Sequence, residues 1–133
     1  MDMFSANVRS QIMSRIRSRR NESTELRLIH IMRRNGITGW RRNSCLLGKP
    51  DFVFPLKRIA VFVDGDFWHG NPRRFRMPAT NRKYWRAKIA RNKQRDRRVA
   101  RRLRRDGWCV IRIWESQLRD EDAVVRKLRF KLQ

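Results

Sequence analysis

Two short apolar runs, separated by four residues, constrain this chain more than anything else in it. Phe52-Val53-Phe54 and Ile59-Ala60-Val61-Phe62-Val63 flank Pro55-Leu56-Lys57-Arg58. Aromatic and β-branched runs of this length, joined by a short Pro-containing link, predict a hairpin. Neither run alternates with polar residues, so both faces of the strands are covered, as in a sheet flanked by helices. Acids bound the runs: Asp51 before the first, Asp64 and Asp66 after the second, with His69 close behind. Oxygen ligands on a rigid frame suit a hard divalent cation, and a nearby imidazole suits proton exchange with water. Taken singly, each of these residues is a turn former or a solvated side chain. Their clustering in a strongly basic chain is what marks a candidate site.

That basicity is extreme. Thirty-five Lys and Arg face 12 Asp and Glu, a formal net charge of +23 in 133 residues, while 40% of residues are apolar. The length suits one domain with a real core. Arg dominates over Lys, and the guanidinium fork binds phosphate through paired hydrogen bonds, which favours nucleic acid over a generic polyanion. The charge is spread along the chain, so binding is expected to be salt-dependent through counterion release. No apolar run is long enough for a membrane span, and the start lacks the apolar segment of a signal peptide. Cys45 and Cys109 are isolated, which fits a reducing cytoplasm. Neither they nor His30 and His69 have zinc-ligand spacing.

Taken in order, residues 4–20 (FSANVRSQIMSRIRSRR) read as a basic arm, with Val8, Ile12, Met13 and Ile16 at helical spacing. The arm is expected either to order on DNA or to pack as a surface helix. A helix over 24–34 follows, with Leu26, Ile29 and Met32 inward, widened by Leu28 and Ile31, and closed by Asn35-Gly36. Glu25 sits in its first turn, where a carboxylate suits the helix dipole, and His30 is expected to be structural. Residues 39–47 predict a weak strand or loop. Residues 71–80 predict a basic loop around Phe75 with Pro72 and Pro78. A long helix, capped by Thr80 or Asn81 and closed by Gly107, has the stripe Trp85, Ile89, Val99 and Leu103. Asn92 and Asp96 fill the middle of that stripe. Two polar residues on an inward face need partners, either in a structural network or beside the acid cluster, and a break in the helix near them is the third option. Trp108–Trp114 predicts a third strand, and Asp120 caps a last helix to Leu132. The order predicts an α/β fold with a small mixed central sheet flanked by helices.

Phosphodiester hydrolysis needs a water held in line and charge neutralised on the phosphate, which Mg²⁺ ions on carboxylates supply. Asp51 is the best ligand, with a main-chain carbonyl at the end of the second strand as another, and His69 is the best base. Phe67 and Trp68 suit either a wedge between base steps or core packing.

At this point the chain resembles the very short patch repair endonucleases, which nick DNA beside a T:G mismatch. The resemblance runs through RSQIMSRIRS, GKPDFVFPLKRIAVFVDGDFWHG, PATNRKYWRAKIARNKQRDRR and GWCVIRIWE, nearly the full length. It implies a type II restriction endonuclease-like core, with 1–20 as a DNA-contacting arm and 21–133 as the endonuclease domain. It implies that Asp51 is a Mg²⁺ ligand and Val63 a carbonyl ligand. By the same resemblance His69 is the general base, Glu25 orients that histidine or a metal-bound water, and Asp64 and Asp96 are further active-site residues. Phe67, Trp68 and Trp85 are intercalating aromatics, Asn92 lies near the mismatched pair, and Met13 is a minor-groove wedge. Arg15 and Lys88 complete the DNA-contacting set. A bacterial, cytoplasmic, nucleoid-associated monomer is implied, with double-stranded DNA carrying a T:G mismatch as its substrate and room for a mismatch-repair protein as partner.

The family's structural zinc is not expected here. Asp66, Asn71, Arg73 and Ser116 stand where its Cys and His ligands belong, so the 70–80 loop must be held by Pro72, Pro78 and acid–Arg pairs, and Asp66 is free to join Asp64. The altered loop keeps alive a related endonuclease of different target, of mobile-element or defence type. The third alternative is a non-catalytic basic DNA-binding protein.

Overall fold

A computed structural model describes residues 23–73 and 75–133, and its first element is a helix, α1, over residues 23–34. The expected arm, with Met13 and Arg15 and the division at residue 20, lies outside the described residues. Helix α1 buries Leu28, Ile29, Ile31 and Met32. Leu26, expected on that face, falls on the opposite side of the helical wheel and is 46% exposed. His30, expected to be structural, is exposed too. The helix stops at Gly36, whose φ of 67° lets the amide of Ile37 donate back to the carbonyl of Met32 at 2.9 Å, a Schellman closure.

The two apolar runs form β1 (Phe52–Phe54) and β2 (Ile59–Asp64), paired antiparallel as Phe52↔Val61, Val53↔Ala60 and Phe54↔Ile59. The expected strand at 39–47 reduces to a single bridge, Arg41↔Val53. Helix α2 (Arg82–Arg105) then crosses over to β3 (Cys109–Trp114), which lies parallel to β2 with Phe62 opposite Arg112 and Asp64 opposite Trp114. The sheet order is β1-β2-β3, a small mixed sheet of α/β type. A 3₁₀ turn (Glu115–Arg119), not foreseen in the sequence, leads into α3 (Glu121–Leu132), whose cap Asp120 accepts from the amide of Ala123 at 3.1 Å.

Both faces of the sheet are covered, for the reason that its strands lack alternation. Ile59, Val61, Val63, Ile111 and Ile113 pack with Phe52 and Phe54 against α1 and α3. Val53, Ala60 and Phe62 face α2 through Val99 and Leu103. By strand parity the side chains of Asp64 and Arg112 share this second face. Helix α2 runs unbroken past Asn92 and Asp96, and its buried stripe is Trp85, Ile89, Asn92, Val99 and Leu103, with Asp96 half-buried. Asn81 precedes it in a left-handed conformation with no side-chain cap. That backbone lacks the extended geometry from which a capping side chain reaches the first-turn amides.

The loop after β2 is tied by polar contacts at the positions where the resembled family has zinc ligands. Asp66 Oδ1 accepts from Asn71 Nδ2 at 2.7 Å and from Ser116 Oγ at 3.0 Å. Asn71 Oδ1 accepts from the amide of Arg73 at 3.2 Å, and Asn71 is only 5% exposed. A carboxylate, an amide, a guanidinium and a hydroxyl supply no thiolate or imidazole, so this donor set does not fit structural zinc. Among the described residues the clasp is an Asp–Asn–Ser network, in place of the expected acid–Arg pairs. Asp66→Ala, which strands the buried amide of Asn71, is expected to cost about 1–3 kcal/mol in denaturant unfolding. The purified protein should carry no stoichiometric zinc by elemental analysis; one zinc per chain would mean that a metal holds this loop.

Candidate nuclease site

Two groups of charged side chains converge at the C-terminal end of β2. The first surrounds Asp51. Its Oδ2 accepts from the amide of Val63 at 2.7 Å, which anchors the residue before β1 to the end of the neighbouring strand. Glu25, from the start of α1, hydrogen bonds to Asp51 and accepts from Arg42 Nη2 at 2.8 Å. Burial, the hydrogen bond with Glu25 and the negative charges of Glu25 and Asp64 together raise the Asp51 pKa from 3.8 to about 7, against the opposing pull of the Val63 amide. Three carboxylates thus crowd a mostly buried point, where a divalent cation would relieve their repulsion. The donor chemistry fits a hard metal, with the Asp51 and Glu25 carboxylates as the available oxygens and the Val63 carbonyl on the same strand end.

The second group surrounds His69. Its Nδ1 donates to Asp96 Oδ2 at 2.6 Å, and its Nε2 is 3.9 Å from Asp64 Oδ1. A carboxylate only accepts, so Nδ1 carries a proton, and in the neutral ring it is Nε2 that offers the lone pair. Burial pushes the Asp96 carboxyl up, but the His69 hydrogen bond and the charges of His69, Arg112 and Arg95 outweigh it, leaving the pKa below the ordinary carboxylate value. Oxygens of Asp64 and Asp96 and a nitrogen of His69 lie within 4.8 Å of one another. A cation there would compete with Arg112, whose Nη1 is 2.9 Å from Asp64 Oδ2 and 3.8 Å from Asp96 Oδ1.

Arg112 is the residue that sequence reasoning missed. Its signal was a single charge in the middle of the otherwise apolar WCVIRIW strand. The guanidinium lies over the Phe62 ring, 4.4 Å from its centroid, donates to both oxygens of Asp64, and reaches the Asp96 carbonyl at 3.3 Å. The structure therefore brings Glu25, Asp51, Asp64, His69 and Asp96 to one end of the sheet. Asp96 is the carboxylate bonded to His69, whereas Glu25 turns to Asp51 and Arg42.

The expected DNA-contacting aromatics form a cluster on the adjoining loop. Phe67 meets Trp68, Phe75 and Trp85 with ring centroids 5.2–5.7 Å apart. Trp68 and Trp85 are 7% and 8% exposed, and Phe67 is half-buried. Tyr84, absent from the expected set, meets Trp85 edge to face with ring centroids 4.9 Å apart and is 49% exposed. Asn92 Nδ2 donates to the Trp68 carbonyl at 2.7 Å, so its amide fixes the aromatic loop to α2. Lys88 is half-exposed on the same helix. Beside His69 a groove of about 670 Å³ is walled by Lys93, Arg97, Arg101 and Arg104 of α2.

Comparison with known proteins identifies relatives of this chain. The family DNA mismatch endonuclease Vsr matches residues 1–74. The DNA mismatch endonuclease Vsr of Escherichia coli K12 is 35% identical over 92% of this chain and 79% of its own length. The type II nicking enzyme V.NmeDIP of Neisseria meningitidis serogroup C is 38% identical over 89% of this chain and 80% of its own. The type II nicking enzyme V.NaeI of Lentzea aerocolonigenes reaches 49% identity, but over 58% of this chain and 47% of its own. A family match over more than half of the chain, joined to relatives matched along nearly all of it, leads to one conclusion: this protein belongs to the Vsr family of DNA mismatch endonucleases.

Proposed function

We propose that this DNA endonuclease nicks one strand of duplex DNA beside a T:G mismatch and uses Mg²⁺ to do so. The observation that carries the reading is the juxtaposition of a half-buried Glu25–Asp51 carboxylate pair with the His69–Asp96 dyad at one strand end. A binding module gains nothing from half-buried carboxylates facing a polyanion. In the reaction, His69 Nε2 takes the proton from the attacking water while Asp96, on Nδ1, holds the ring and stabilises the imidazolium that forms. Asp51 and Glu25, with the carbonyl of Val63, would hold the metal, which when bound supplies charge neutralisation at the scissile phosphate. The basic wall of α2 attracts the phosphate backbone, and Phe67 is the most open of the three expected intercalating rings, beside the more exposed Tyr84. Preference for T:G rests on the resemblance, and action at a mismatch also on the name of the Escherichia coli relative. A different target within the same chemistry is the second reading, favoured by the Asp66 clasp that stands where the resembled family has a zinc-bound loop.

End-labelled duplexes, identical except for one T:G in place of C:G, decide between these readings. The expected result is a nick beside the T:G pair alone, present with Mg²⁺ and absent with EDTA. Equal cutting of both duplexes transfers the protein to the second reading. His69→Ala should lower the nicking rate by about 100- to 10,000-fold and Asp51→Asn should abolish nicking, with salt-dependent binding largely retained in both.

Asp51 also makes stability depend on pH. Its carboxyl titrates at about 7 when folded and 3.8 when unfolded, so the folded state holds the proton more tightly. That contribution is fully present below about pH 4 and is lost as pH rises through 7. Metal-free protein is therefore expected to lose stability across this window, and Asp51→Asn should flatten the loss, appearing more stable by an amount on the order of 1–3 kcal/mol near pH 8. Mg²⁺ should raise the melting temperature of the parent at that pH and not that of Asp51→Asn. A Mg²⁺ response that persists in the variant would move the metal away from Asp51.

A further inference from the structure

We propose that Arg112 is a positioning residue for His69: it holds the Asp64 carboxylate off the imidazole, so that His69 keeps Nδ1 on Asp96 and a free Nε2 toward the groove. The inference rests on the nuclease reading for its consequence, but its geometry stands apart from it. Two carboxylates bracket one imidazole. Asp96 is bonded to Nδ1 at 2.6 Å, and Asp64 Oδ1 stops 3.9 Å from Nε2, beyond hydrogen-bond length. Asp64 stops there because Nη1 of Arg112 engages both of its oxygens, at 3.1 and 2.9 Å.

The Asp64 side chain is 5% exposed. A carboxylate that deeply buried must find another donor if its guanidinium is removed. The donor within reach is His69 Nε2. An imidazole gripped at both nitrogens has no lone pair left to accept a proton from water. Arg112 itself is fixed by three further contacts: the Phe62 ring beneath it, the Asp96 carbonyl on Nη2 and Asp96 Oδ1, 3.8 Å from Nη1. The planar fork spans β2 and α2 together, which a lysine ammonium cannot do.

The test reads His69 directly. The chain has two histidines, and the exposed His30 can be replaced by Gln to leave one imidazole. In ¹⁵N imidazole spectra of this metal-free protein, one nitrogen should be protonated and one bare. Arg112→Met should show both nitrogens engaged, and Arg112→Met with Asp64→Val should return the parent pattern, because no orphan carboxylate remains. Nicking should follow: kcat falls about 100-fold in Arg112→Met, KM for the duplex changes little, Arg112→Lys stays slow, and the double variant is faster than Arg112→Met. A bare Nε2 in Arg112→Met, or a double variant as slow as the single one, overturns the proposal and makes Arg112 a direct ligand of the substrate. If Arg112→Met does not fold, the charge-free double variant and Arg112→Lys carry both readouts. Absence of nicking in the parent would sink the nuclease reading while leaving the spectral result to decide the Arg112–Asp64 geometry.

Discussion

The parallel register of β2 and β3 is the constraint on which the site depends. It sets Phe62 opposite Arg112 and Asp64 opposite Trp114, and strand parity then sends Asp64 and Arg112 to the face that α2 covers. Slipping the register by one residue would turn Arg112 into the apolar layer formed by Ile111 and Ile113 and would leave Asp64 buried without a cation. The crossover through α2 supplies the remaining partner, because its inward stripe carries Asp96 to the imidazole of His69. β2, β3, α2 and the loop that carries His69 thus each contribute one group to a four-residue charged network.

The site is assembled against electrostatic cost. Glu25, Asp51 and Asp64 crowd one mostly buried point, and the Asp51 carboxyl titrates near neutrality as a result. Arg42 on Glu25 and Arg112 on Asp64 offset part of the repulsion, and Asp51 is left with the Val63 amide. Such a point is less stable than an apolar one, and it is the kind of arrangement retained for chemistry. The surrounding excess of arginine acts over a longer range. It draws a phosphate backbone toward carboxylates that would otherwise repel it.

The three strands and three helices of the described residues were legible because each rests on a local pattern: continuous apolar runs for strands covered on both faces, a 3–4 spacing for α2, Asp120 as a cap. The polar positions Asn92 and Asp96 were legible as an anomaly on an inward face, and the structure gives each a partner: Asn92 the Trp68 carbonyl, Asp96 the His69 ring. Other features were not. Leu26 and His30 needed the full wheel of α1 against its neighbours, the strand at 39–47 dwindled to one bridge, and the clasp at Asp66 joins residues 50 positions apart. The aromatic segment was legible as unusual, but only packing reveals that Trp68 and Trp85 are sheltered by their neighbours while Phe67 and Tyr84 are more open.

By itself the sequence determined the α/β class, the basic exterior and the residue types of a hydrolytic site, since periodicity, charge and side-chain chemistry are properties of neighbouring residues. Which of those residues act on one another was decided by the tertiary structure. Asp96 rather than Glu25 meets His69, and an arginine in an apolar strand restrains Asp64, because contacts across 27 and 48 residues depend on strand register and helix placement, which no local pattern encodes.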